Sequence, residues 1–171
     1  MASTEAPPPY FRTVYDETLH SISYLEPSIM SMANNPTLLG QLEHHSPTTD
    51  GSFSVCIAGG HGVFISQTLL ASIPAEHCPD LNTTIANQTI ATITNKPMKS
   101  IGTIFIPVIL TDAQMGEKIR IVLYAIVVPN LFMGMFIGGS SKFLKSSLWG
   151  PEGIIYTFDF GQGGVRQVKG I

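Results

Sequence analysis

At 171 residues with 44% hydrophobic content, the chain is long enough to bury one substantial core and too short for two ordinary domains. Charged residues make up only 12%, about half the usual share, which points to an apolar surface or an interface between copies of the chain. A net charge of −3, with Lys and Arg few and scattered, excludes the basic footprint of a nucleic-acid binder.

The first nine residues end in Pro7, Pro8 and Pro9 and carry neither a basic start nor an apolar run, so they read as an extended arm rather than a secretory signal. The expected division is a flexible Pro-rich arm over residues 1–14 and one β domain over residues 15–171, in a cytoplasmic protein. Residues 15–42 are irregular, with breaks at Pro27, Pro36 and Gly40. From His44 the chain turns polar, and Asp50-Gly51 suits a turn into the next strand. Residues 53–57 then predict an apolar strand, 59–62 a glycine loop, 63–65 a second strand and 67–72 a short helical piece. Thr and Ile alternate through residues 83–94, the pattern of a half-buried strand. A turn at 95–99 leads to a strand over 102–110, and a turn at 111–118 leads to the longest apolar strand, 119–128. Short strands at this spacing predict a compact, mostly β barrel or sandwich.

Residues 121–139 carry no charge and are long enough to cross a bilayer. Pro129-Asn130 in their middle, the glycines from Gly134 onward and the β-branched run Ile121, Val122, Ile126, Val127 and Val128 argue instead for two strands joined at Pro-Asn. No membrane association is expected.

Two blocks carry a resemblance. Residues 53–66 place an apolar strand, then Ile57-Ala58-Gly59-Gly60-His61-Gly62, then Val63-Phe64-Ile65. Downstream, Val127-Val128-Pro129 leads to Phe136-Ile137-Gly138-Gly139. In this order and at this distance the blocks resemble the retropepsin-like aspartic proteases of retroviruses and LTR retrotransposons, over about residues 50–145. That family carries Asp-Thr/Ser-Gly-Ala before its Phe-Ile run and an Ile-Leu-Gly motif after a Val-Val-Pro strand. The resemblance implies a closed retropepsin-like β-barrel, one short helix after Ile137-Gly138-Gly139, and a homodimer with residues 57–62 lining the cleft at its axis. It also implies an extended peptide or polyprotein segment as ligand, with Phe136, Ile137 and Gly138 at the Ile-Leu-Gly position.

The catalytic acid is missing. Ile57 or Ala58, depending on register, stands at the aspartate's place, and no Asp or Glu occurs between Gly51 and Ala75. Aspartic peptidases need two carboxylates sharing one proton, so the chain as it stands cannot hydrolyse peptides by that route. The expected function is therefore a catalytically inactive, dimeric peptide-binding or scaffolding module. The alternatives are an aspartic endopeptidase for retroelement polyproteins whose acid has been substituted, and a β-sandwich capsid or lectin-like protein.

Other constellations are weaker. Asp159-Phe160-Gly161 has the Asp-x-Gly form but no partner motif after it, and reads as a turn or strand end. Asp112-Ala113-Gln114 lacks the glycine and reads as a hairpin tip. His44, His45, His61 and His77, with Cys78, lack the spacing of a zinc site and read as surface histidines, so no metal or cofactor is expected. Gly59-Gly60-His61-Gly62 has no hydroxyl at its centre for a nucleophile elbow and no Lys-Ser/Thr pair for a phosphate loop. Cys56 and Cys78 are expected to be unpaired.

Overall fold

The computed structural model describes residues 10–15, 28–29 and 37–171, apart from 85, 93–95, 115, 130, 132, 140–142 and 161–163. In chain order the elements are β1 (Tyr10–Tyr15), β2 (Ser28–Ile29), β3 (Thr37–Leu42), β4 (Ser52–Ala58), β5 (Gly60–His61), β6 (Val63–Ser66) and α1 (Gln67–Ala71). A 3-10 turn (Ala75–His77) precedes β7 (Thr89–Thr92), β8 (Met98–Lys99), β9 (Gly102–Thr111), β10 (Lys118–Val128) and β11 (Met135–Gly138). Three further strands close the chain: β12 (Leu144–Gly150), β13 (Gly153–Asp159) and β14 (Val165–Lys169).

The main sheet closes on itself as a six-stranded barrel in the order β10-β6-β11-β4-β3-β9 and back to β10. Closure depends on the length of β10, which spans 11 residues. One of its edges pairs with β9 from Lys118 to Val127, so its other edge is shared by β1 near Ile121 and β6 near Val127.

Side-chain alternation divides the wall between two cores. Phe53, Val55 and Ile57 of β4, Val63 and Ile65 of β6, and Met135 and Ile137 of β11 fill the barrel interior. Their sequence neighbours Cys56, Phe64 and Phe136 point the other way, into a second cluster with Ile126, Val128 and Leu131. That outer cluster lies against Ile29 of β2 and Ile90 of β7, members of a small sheet ordered β5-β2-β7-β8. Strands covered on both faces need apolar residues at every position. This is the physical reason that residues 125–128 and 135–138, buried at consecutive positions, carry no charge. No helix among the described residues is long and apolar enough to cross a membrane.

The strands expected at 53–57, 63–65, 102–110 and 119–128 are present, as is the short helix at 67–71. Ser66 caps that helix, its hydroxyl accepting from the Leu69 N–H at 3.0 Å. Three expectations change. Residues 10–14 of the supposed arm carry β1, whose backbone finds a partner in the free edge of β10. Residues 1–9 of that arm lie outside the described residues. Of the strand expected over 83–94, the described residues carry Thr89–Thr92, and before it Asn87 adopts a positive φ of 63°, which breaks an extended chain. The helix expected after Ile137-Gly138-Gly139 is replaced by β12, which opens a three-stranded antiparallel sheet with β13 and β14. Ile154, Tyr156, Phe158 and Val168 of that sheet join the barrel's own core, which the apolar alternation of β13 requires.

Candidate functional site

The two sequence blocks meet. β11 lies between β4 and β6: Phe136 pairs with Cys56, Ile137 with Ile57 and Gly138 with Ala58 in parallel, while Phe136 pairs with Phe64 and Ile137 with Val63 in antiparallel. The glycine loop joins β4 to β6 and closes over the end of β11, where the Gly138 N–H donates to the Gly62 carbonyl at 2.8 Å.

Glycine is required here within a single chain. Gly60 and Gly62 have φ of 137° and 98°, a region that L side chains rarely adopt. A Cβ on Gly138 would stand 2.5 Å from the Gly60 carbonyl oxygen. The resemblance implies that this loop meets its twin at a dimer axis; within one chain its glycines already serve positive φ and the close approach of β11.

The positions at the missing acid differ from each other. Ile57 is 8% exposed and belongs to the barrel core, so a carboxylate there would face apolar side chains. Ala58 is the strand's last residue, paired with Gly138 beside the loop. His61 carries a buried Nδ1 with no hydrogen-bond partner, the one titratable group in the loop. Its backbone pairs with Ser28, and Gly60 pairs with Ile29.

Acids named in the sequence lie elsewhere. Asp112 is a hairpin tip, as expected, and its Oδ1 accepts from the Gln114 N–H at 2.9 Å. It sits at the Lys118 end of β10, whereas the glycine loop's strand β6 adjoins the Val128 end. Arg166 of β14 stands 3.0 Å from Glu117 and 3.9 Å from Asp112, so this cluster ties the C-terminal sheet to the β9–β10 turn. Asp159 ends β13, its N–H bonded to the Phe143 carbonyl at 2.8 Å, and Phe160 is buried in the core, which is the strand-end reading. Asp50 forms the turn into β4. The Ser52 N–H and hydroxyl hold its carboxyl below the usual carboxylate range.

His44 and His77, far apart in sequence, stack with ring centroids 3.9 Å apart and 7° between planes. Among the described residues no group of three or more His, Cys, Asp or Glu is placed to hold a metal ion. Cys56 and Cys78 are both free, and burial pushes the Cys56 thiol up. Burial, and then the Cys56 charge, push the Tyr156 hydroxyl up to about 12.

One feature had no sequence signal: an open hollow of about 510 Å³ between Leu42, the Thr49–Ser52 turn, α1 and Leu131, Met133 and Gly134. Its hydroxyls are largely engaged already. Ser66 caps α1, Ser72 donates to the Leu69 carbonyl and Thr49 to the Ser46 carbonyl. Its lining comes from four separated stretches of the chain, so no local pattern marks it. No family model, no curated protein and no solved structure matches this chain.

Proposed function

We propose that the chain is a catalytically silent retropepsin-like domain that holds an extended peptide by strand addition beside the glycine loop. The observation that carries this reading is the junction of the two motifs. Phe136-Ile137-Gly138 runs between the strand that enters the glycine loop and the strand that leaves it, and the loop bonds to Gly138. A backbone so arranged presents loop edges without an acid: Ile57 and Ala58 cannot move a proton, and the nearest residues on either side carry no carboxylate. Short strands at the loop pair through main-chain groups, the mode by which extended peptides are held with little dependence on sequence.

The domain works as a homodimer. The 12% charge content and the family's need for two subunits support this, whereas the loop's glycines are already used inside one chain. Sedimentation equilibrium at micromolar concentration is expected to show a dimer, and a species of 18.5 kDa alone would remove this part of the proposal.

The rival reading, a peptidase whose acid has been replaced, is separated by Ala58→Asp and Ile57→Asp. We expect both variants, where folded, to cleave nothing. Pepstatin-sensitive cleavage by Ala58→Asp, with none from the unaltered chain, would favour the peptidase. The third reading, a capsid or lectin-like sandwich, has no observation of its own now that the main sheet is closed.

A further inference from the structure

The geometry points to Ser28–Ile29 as a tethered occupant of the peptide slot: this strap fills the space between the glycine loop and the β7–β8 hairpin, and an extended peptide enters when the strap leaves. The inference rests on the peptide-binding reading above and adds what the slot accepts and what keeps it closed.

The strap is already an added strand. On one edge β2 runs antiparallel to β5, with Ser28 opposite His61 and Ile29 opposite Gly60. On the other it runs parallel to β7, with Ser28 opposite Ala91 and Ile29 opposite Thr92. Without β2, both β5 and β7 would present unpaired main-chain groups toward the same gap, an arrangement that calls for a strand. The hold is short: two residues pair on each side, against ten in register between β9 and β10.

A side-chain pocket goes with the backbone slot. Ile29 is fully buried, in a cluster with Phe64, Phe136, Ile126, Val128 and Ile90. The segment that fits is therefore extended, with an aliphatic side chain at the Ile29 position.

The test compares the full chain with Ile29→Ser by fluorescence anisotropy. Two labelled probes are used: a peptide of residues 24–33 of this chain, and a blocked, uncharged hexapeptide of Thr and Val. Both are expected to bind Ile29→Ser at least tenfold more tightly than the unaltered chain. Equal binding to both proteins would overturn the strap while leaving peptide binding intact. A folded variant and an unaltered chain that both bind neither probe would overturn the strap and the peptide-binding reading together. If Ile29→Ser fails to fold, hydrogen exchange on the unaltered chain decides. Amides of residues 28–29, 60–61 and 91–92 exchanging at least a hundredfold faster than those of β10 keep the strap as a separable piece. Exchange of these amides only with global unfolding would make β2 a fixed wall and end the proposal.

Discussion

Gly138 is the residue on which the junction turns, because its missing Cβ lets β11 approach the Gly60 carbonyl while its N–H bonds to Gly62. Gly138→Ala should therefore cost about 1–3 kcal/mol, the range for overpacking against groups that cannot yield; urea denaturation would measure it. Phe136 lies on the opposite face of the same pair of strands, fully buried and tilted against Phe64 with ring centroids 5.8 Å apart. Phe136→Ala is expected to lose about 3–5 kcal/mol. Tyr156 gives a pH signature. Its folded value of about 12 lies above the ordinary 10.0, so its contribution is complete below pH 10 and is lost as pH rises toward 12, where the unfolded chain releases the proton first. Stability of the unaltered chain should fall by about 2–3 kcal/mol more than that of Tyr156→Phe across this window, read by denaturation at a series of pH values.

At the scale of elements, period two and β-branching were enough to find β4, β6, β9 and β10, because each alternates or runs apolar between turn residues. The same signal misled at 83–94. Its Thr and Ile alternate, yet Asn87 takes a left-handed conformation, with Ser100 bonded to both Asn87 and Gln88. A left-handed Asn depends on those distant partners, which alternation cannot register. β12 was hidden for a different reason. Its Lys-Ser-Ser-Leu-Trp run has no buried position and draws its pairing from β13 alone among the described residues. α1 was visible through its sequence, and its cap is testable: Ser66→Ala removes the oxygen that accepts from Leu69 and should cost about 1 kcal/mol. Thermal unfolding of the variant against the unaltered chain would show it.

The whole molecule explains what looked anomalous in composition. A barrel wall with one core inside and a second outside needs apolar residues at consecutive positions, and residues 125–128 and 135–138 supply them. The candidate site was legible to the extent that the glycine loop and the Phe-Ile-Gly run were singled out together, and they do adjoin. What no local pattern conveyed was that Ser28–Ile29, over thirty residues upstream, lies along that loop. Such pairings arise from chain topology, and residues 15–42 gave no periodicity from which to infer one. The most direct measurement is an amide chemical-shift titration of the full chain with excess extended peptide. Shifts are expected at Gly60, His61, Ala91 and Thr92, accompanied by changes at Ser28 and Ile29 as the strap is displaced. Shifts confined to the hollow beside α1, or none at saturating peptide, would contradict this expectation.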